Sequence, residues 1–169
     1  MDNPIRLLLV DDNLPFLEVA RGFLELQKTF EIAGTAIEGS AAFAQALNLK
    51  PDVILLDLNL GNRSSLGLIP IFREILPQTK IVVLTMMEDE LYRAAAIQAG
   101  ADDFVSKSTM SGTLVSVILR LMKRHNNDQK THTTSGDLVA EAAQNQSGNP
   151  PPTTNSEQFE RGADQEAGI

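Results

Sequence analysis

Five short apolar runs recur along the first two thirds of the chain, with polar, glycine-rich or proline-containing segments between them. These runs are residues 5–10, 30–36, 53–56, 80–84 and 103–106. The run Val53 to Leu56 has no polar alternation, which is typical of a strand covered on both faces in the middle of a parallel sheet. We therefore predict five strands, with residues 53–56 at the centre of the sheet.

Segments with helical spacing of apolar residues follow each strand. Asn13 is a predicted N-cap, Pro15 and Pro70 fit in first turns, and Gly100 is a predicted helix end. The first helix has apolar positions Phe16, Val19, Ala20, Phe23 and Leu24, and the second has Ala42, Phe43, Ala46 and Leu47. The other helices are predicted near Leu68 to Leu76, Glu88 to Ala99 and Ser111 to Arg124.

Five strands alternate with five helices, and each connection between strands is near twenty residues long, which predicts an α/β fold. The expected architecture is a flavodoxin-like, doubly wound parallel sheet with strand order 2-1-3-4-5. In that order the switch point lies between the first and third strands. Residues at the carboxyl ends of the strands are then expected to share one crevice, where such sheets bind ligands.

The composition changes after the fifth helix, which sets the predicted domain boundary at residues 125 and 126. Residues 126–169 contain seven acidic and two basic side chains, and few large apolar ones. Because so little apolar surface cannot form a core, we expect a polar acidic tail that is mostly disordered. A weak helix near Asp137 to Gln144 is also predicted. Residues 1–125 are expected to form the folded domain.

Composition excludes several classes of function. The 169 residues include no cysteine, which excludes disulfides, thiolate zinc sites and cysteine nucleophiles. No apolar stretch reaches the length of about 20 residues that spans a membrane, so we expect a cytoplasmic protein with no membrane contact. The net charge of −8 argues against nucleic acid as the main partner, because phosphate contacts need a basic face.

The residues that end the predicted strands carry the candidate chemistry. The first strand ends on Asp11 and Asp12, the third on Asp57, the fourth on Thr85 and the fifth runs into Lys107. Each of these residues alone is often merely structural, but together they suggest a site. Carboxylates about 4 Å apart repel by about 4 kcal/mol per pair at an effective dielectric near 20, so we expect a cation, Mg²⁺, among them. With a lysine and a hydroxyl nearby, the set predicts phosphoryl transfer onto Asp57.

The chain resembles the receiver domains of two-component response regulators from about Ile5 to Arg124. The resemblance rests on the acidic pair Asp11 and Asp12, on Asp57 in LLDLN, and on the residues that follow KIVVL and AGADDFVS. It implies phosphorelay signalling, in which Asp57 accepts a phosphoryl group from a sensor histidine kinase or phosphotransfer protein. Such a protein is a phosphoacceptor with self-catalysed phosphotransfer and dephosphorylation rather than an enzyme.

The same resemblance implies a set of metal ligands. Mg²⁺ would be held by Asp12, Asp57 and the backbone carbonyl of Asn59, and Asp11 would lie nearby and act largely through water. One departure from the family affects this region. The loop after Asp57 lacks the usual proline, and its glycine comes late, at Gly67, which suggests about two extra residues beside the site.

The resemblance also implies a switch. Thr85 and Lys107 would bind the phosphoryl group, and Phe104 would turn inward as Thr85 moves. The surface of the fourth helix, fifth strand and fifth helix, roughly residues 88–99 and 103–124, would then change shape and contact a downstream protein or form a phosphorylation-dependent homodimer. Met86 and Met87 are expected only to fill apolar space.

The residue after Lys107 bears on the kind of output that the protein has. Ser108 follows Lys107 where many receivers have proline, a change seen in receivers that usually carry a helix-turn-helix output domain. Such a domain needs its own core and a basic face, which the acidic tail does not provide. We therefore expect a single-domain response regulator that signals through protein contact and does not bind DNA directly.

Two alternatives come from other functional classes. A haloacid-dehalogenase-like phosphatase also uses an Asp nucleophile with Thr, Lys and Mg²⁺, but it should have a second Asp where this chain has Asn59. A receiver-like docking module that is never phosphorylated is the other alternative. Such modules typically lose one of the site residues, and none is lost here.

Overall fold

The computed structural model describes residues 3–61, 63–86 and 89–124. The strands are β1 (Ile5–Val10), β2 (Phe30–Ala36), β3 (Val53–Leu56), β4 (Asn59–Leu60), β5 (Arg63–Ser64), β6 (Lys80–Thr85) and β7 (Asp103–Ser106). The helices are α1 (Leu14–Glu25), α2 (Gly39–Leu49), α3 (Leu68–Ile75), α4 (Glu90–Ala99) and α5 (110–124). The predicted tail 126–169, its weak helix 137–144, Met87 and Glu88 lie outside the described residues.

Five of these strands form one parallel sheet in the order β2-β1-β3-β6-β7. Counted within the sheet, this order is 2-1-3-4-5, so the predicted flavodoxin-like fold is confirmed. The central strand is β3, which pairs with β1 on one side and β6 on the other. Among the helices in the described part of the chain, none has the length and apolar content needed to cross a lipid bilayer.

Successive residues of the central strands supply two separate cores, because side chains alternate between the faces of a sheet. Leu7 and Leu9 of β1 belong to one apolar cluster, and Leu8 and Val10 belong to the other. The first cluster includes residues of α1 and α5, and the second includes residues of α2, α3 and α4. Helices therefore cover both faces of the sheet, which explains the unbroken apolar runs.

The start of α1 and the end of α4 lie at capping residues that the sequence predicts. The Asn13 side chain accepts a hydrogen bond from the Phe16 backbone N–H at 3.0 Å, which caps α1. Asp89 caps α4 in the same way through the Leu91 N–H at 2.8 Å, so the described helix begins at Glu90. Gly100 ends α4 at φ 111°, a conformation that glycine adopts without strain.

The segment after Asp57 differs from the irregular loop that its composition indicates. Asn59 pairs with Ser64 and Leu60 with Arg63, which makes a small antiparallel hairpin outside the main sheet. Gly61 has φ 57°, as a tight hairpin turn requires, and Leu60 is buried. Two-residue strands are too short to show an alternating pattern, so the hairpin could not be predicted from hydrophobic periodicity.

Some apolar residues of the predicted helix faces are exposed. In α2 the buried residues are Ala42 and Ala46, whereas Phe43 and Leu47 are 37% and 42% exposed. The small alanines let α2 pack closely on the sheet, and this leaves the larger neighbours at its edge. Val19 of α1 is also exposed. Met86 is 67% exposed, so the expectation that it fills apolar space was wrong.

Among the residues that the structure describes, Lys50 is the one non-glycine residue with a positive φ. Its φ is 46°, and it ends α2. A side chain in this left-handed conformation costs free energy that glycine avoids. We expect Lys50→Gly to raise the free energy of unfolding by up to about 1 kcal/mol, measured by urea denaturation. Gly100→Ala is the opposite control and should lower it by about 1 kcal/mol. Loss of stability in Lys50→Gly would mean that the lysine side chain contributes more than its backbone strain costs.

Candidate functional site

The carboxyl ends of β1 and β3 bring three carboxylates together. The Asp57 backbone N–H donates to the Val10 carbonyl at 2.9 Å, which extends the pairing of the two strands to the point where both end. Asp11, Asp12 and Asp57 each offer a carboxylate oxygen, and these atoms all lie within 4.8 Å of one another. Asp11 and Asp57 are buried, and Asp12 is exposed. The predicted crevice at the switch point is therefore acidic.

Lys107 lies between the two buried carboxylates. It follows β7 directly, in a single turn of 3₁₀-helix at Lys107–Thr109. Its Nζ is 2.5 Å from Asp11 Oδ2 and 2.9 Å from Asp57 Oδ2, and its side chain is 7% exposed. Ion pairs that are this well buried keep most of their electrostatic strength because water does not screen them.

One ammonium does not balance the negative charge of the crevice. Burial raises the pKa of Asp11 above its ordinary value, although the hydrogen bonds from Lys107 and from the Asn13 backbone N–H favour the charged form. The neighbouring Asp57 carboxylate also raises this pKa. Asp11 is therefore in an environment that disfavours its negative charge, and a further cation would relieve it.

The crevice fits a hard divalent cation such as Mg²⁺. Within the described residues, no group donates a hydrogen bond to the buried Asp57 Oδ1, which is otherwise costly for a carboxylate oxygen. Carboxylate oxygens are the ligands that Mg²⁺ prefers, and Asp11, Asp12 and Asp57 are close enough to share one ion. Asn59 lies two residues after Asp57, at the start of the hairpin. Its backbone carbonyl as a ligand stays a prediction.

Thr85 and Phe104 lie on the two strands next to the crevice. Thr85 is the last residue of β6 and is 1% exposed, and it pairs with Ser106 of β7. Phe104, on β7, is 4% exposed in this structure, so its ring already points into the core. The Arg93 guanidinium of α4 lies over this ring, 4.8 Å from its centroid. The structure thus places Phe104 against α4 and Thr85 beside β7.

The hairpin and the residue that follows it supply three hydrogen bonds that sequence reasoning missed. The Ser65 side chain is buried and donates to the Asp57 backbone carbonyl, and the Ser65 N–H donates to the Leu58 carbonyl at 2.8 Å. The Gly61 N–H donates to Asp12 Oδ2 at 3.1 Å. A serine in a polar loop gives no sequence signal of burial, so only the fold could show that these residues hold the site.

The comparisons with known proteins agree with this geometry. Residues 7–119 match the family described as the response regulator receiver domain. The chain is 33% identical over 116 residues to the response regulator protein VraR of Staphylococcus aureus, covering 68% of this chain and 54% of VraR. It is 31% identical over 114 residues to the transcriptional regulatory protein MctR of Rhizobium johnstonii, covering 68% of this chain and 53% of MctR. The chain spans about half the length of these relatives.

A solved structure shows the same fold. A two-component response regulator of the LuxR family from Aurantimonas sp. SI85-9A1 superposes with a TM-score of 0.68 at 24% identity, and the match covers 72% of this chain and 86% of that one. The family match covers more than half of the chain and includes Asp11, Asp12, Asp57, Thr85 and Lys107. The chain therefore belongs to the receiver domain family of two-component response regulators.

Proposed function

We propose that Asp57 accepts a phosphoryl group from a phosphohistidine on a sensor histidine kinase or phosphotransfer protein. The observation that carries this proposal is the state of the Asp57 carboxylate. One of its oxygens is held by Lys107, and the other has no hydrogen-bond donor within the described part of the chain. A buried carboxylate oxygen with unused lone pairs is available to form a bond to phosphorus.

The proposed reaction is a displacement at phosphorus. A carboxylate oxygen of Asp57 forms the new bond, the bond between phosphorus and the imidazole nitrogen breaks, and the imidazole leaves with that electron pair and takes up a proton from water. Lys107 lies where it can neutralise the charge of the phosphoryl oxygens, and the Thr85 hydroxyl can donate to them. The reactive bond between phosphorus and nitrogen belongs to the phosphohistidine of the partner protein, and this chain accepts the phosphoryl group on its own side chain. It is therefore a phosphoacceptor rather than a classical enzyme.

Mg²⁺ is the cofactor that the proposal assigns to the crevice. Its ligands would be Asp12, Asp57 and the Asn59 carbonyl, with Asp11 acting through water. When bound, Mg²⁺ supplies positive charge that stabilises the developing charge on the phosphoryl oxygens. Asp12 is exposed on one side and accepts the Gly61 N–H on the other, so the protein already fixes the position of this ligand.

Mg²⁺ alone should stabilise the unphosphorylated protein, because binding relieves repulsion among the three carboxylates. At a free concentration one hundred times the Kd, the gain is about 2.7 kcal/mol in the free energy of unfolding. Thermal denaturation with and without MgCl₂ measures it. Asp12→Asn should lose most of this gain, whereas Glu18→Gln, an exposed change on α1, should keep it. An equal gain in both variants would show that Mg²⁺ acts elsewhere.

Phosphorylation of the wild-type protein tests the proposal directly. Acetyl phosphate contains the same kind of transferable phosphoryl group and needs no partner protein. Incubation with acetyl phosphate and Mg²⁺ should add one phosphoryl group by intact mass, and EDTA should prevent the addition. If no group is added by acetyl phosphate or by any histidine kinase tested, the chain is a docking module that is never phosphorylated.

The match to the receiver family shows that the haloacid-dehalogenase-like alternative was wrong.

We propose that the signal leaves through the surface made by α4, β7 and α5. Lys107 contacts Asp57 and directly follows β7, and Phe104 of β7 lies under Arg93 of α4, so a change at Asp57 can reach this surface through a short series of contacts. A homodimer or a complex with a downstream protein is the expected readout. Sedimentation with and without beryllofluoride tests the dimer. A monomer in both conditions would leave a different partner as the target.

The remaining parts of the proposal concern the rest of the chain. Residues 1–125 are proposed as the receiver domain and 126–169 as an acidic tail, and the absence of cysteine fits a cytoplasmic location. MctR is named as a transcriptional regulatory protein, whereas we propose that this chain does not bind DNA directly, because its net charge of −8 opposes phosphate contact. Tight, salt-sensitive DNA binding by the purified chain would contradict this.

A further inference from the structure

We propose that Phe16 is a positioning residue for Lys107 in phosphoryl transfer. The Lys107 Nζ lies 4.4 Å from the centroid of the Phe16 ring, within the range of a cation–π interaction. The same ammonium contacts Asp11 and Asp57, so its surroundings include the ring as well as the two carboxylates. This inference rests on the proposed function, since it assigns a role in that reaction.

The ring is held in place by the start of α1. The Phe16 N–H donates to Asn13 Oδ1 at 3.0 Å, and the Asn13 N–H donates to Asp11 Oδ1 at 3.0 Å. Asp11 contacts Lys107 through its other oxygen. Each residue in the series Asp11, Asn13, Phe16 and Lys107 thus contacts the next, and Lys107 contacts Asp11 again. The position of the aromatic ring is thus tied to the acidic crevice itself.

The ring differs from the carboxylates in what happens to it during the reaction. Asp11 and Asp57 hold Lys107 in this structure, but both are candidate metal neighbours, and Asp57 gains a phosphoryl group in the proposed reaction. Phe16 binds no metal and takes no phosphoryl group. Its attraction for the ammonium therefore persists when the carboxylates change partners. A long lysine side chain would otherwise have many rotamers to lose before it meets the phosphoryl group.

Simple packing is the competing explanation, because Phe16 is partly buried against the cluster that includes α1 and α5. Packing depends on the size and apolar character of the ring. A cation–π interaction depends also on the electron density of the ring face. Stepwise fluorination of the ring lowers that density with little change in size, and it therefore separates the two explanations.

The experiment replaces Phe16 in the full chain with 4-fluoro-, 3,5-difluoro- and 3,4,5-trifluorophenylalanine. We expect the rate of phosphorylation by acetyl phosphate with Mg²⁺ to fall stepwise along the series. The total decrease should be about 5- to 30-fold, as a partly desolvated cation–π interaction predicts. The Tm should fall by no more than a few degrees, because Asp11 and Asp57 hold Lys107 in the unphosphorylated protein whatever the ring contributes. NMR of the unphosphorylated protein gives a second readout, an upfield ring-current shift of the Lys107 ε-methylene protons that disappears in Phe16→Leu.

Phe23 provides the matched control. It lies on the same helix, is also partly buried and packs against the same apolar cluster. The same fluorinated residues at position 23 should leave the rate unchanged. A flat rate along the Phe16 series, in a wild-type protein that is phosphorylated, would overturn this inference and leave the proposed function intact. A wild-type protein that takes no phosphoryl group would overturn both.

Discussion

Asp57→Asn should abolish covalent phosphorylation by acetyl phosphate, with a decrease in rate of more than about 1,000-fold. The amide of asparagine has no anionic oxygen to attack phosphorus, and within the described part of the chain Asp57 Oδ1 is the buried side-chain oxygen that has no hydrogen-bond partner. The change keeps the size of the side chain, so packing against the ends of the strands should survive. Intact mass and phosphate-affinity gels measure the labelling.

Asp52→Asn is the control, because it makes the same chemical change at the opposite end of β3. Asp52 Oδ2 accepts the Arg6 backbone N–H at 2.7 Å, a contact that an amide oxygen can also make. Labelling of Asp52→Asn should match that of wild type. If Asp57→Asn is labelled as well as wild type, the phosphoryl group is on another residue, and the assignment of Asp57 is wrong.

Arg73→Lys should lower the free energy of unfolding by about 2 kcal/mol. Arg73 donates to the Gly100 carbonyl from two nitrogens, at 3.2 and 2.8 Å, and to the Thr79 carbonyl at 2.9 Å. It also pairs with Asp102 at 2.5 Å. Its planar fork thus joins α3 to the segments that precede β6 and β7, and a lysine ammonium cannot reach all of these acceptors.

Arg21→Lys is the control for this prediction. Arg21 pairs with Glu25 at 3.0 Å on the surface of α1, and both side chains are about half exposed. Exposed pairs of this kind contribute little, so we expect a change below about 0.5 kcal/mol. Urea denaturation of the two variants measures the difference. Equal effects would show that the backbone contacts of Arg73 contribute no more than a surface ion pair.

The sheet and its order could be predicted from the sequence because the strands are buried on both faces. Val53 to Leu56 have no polar position, and each of these side chains belongs to one of the two cores in turn. Each segment between consecutive strands is long enough to hold a crossover helix, and the helical spacing of its apolar residues indicates one. Strands that are joined by crossover helices pair in parallel. Hydrophobic periodicity was less informative for α2, where it did not distinguish Ala42 and Ala46 from the exposed Phe43 and Leu47.

Which residues could meet was predictable from the sequence, since Asp11, Asp57 and Lys107 each follow a strand and the carboxyl ends of parallel strands lie at one edge of the sheet. The contacts that they make became clear only from the folded arrangement of the chain. Lys107 bridges the two buried carboxylates and lies against Phe16, and Ser65, directly after the hairpin, donates to the Asp57 carbonyl. These contacts join residues far apart in the chain, and their distances depend on the packing of whole elements, which no local pattern of residues encodes.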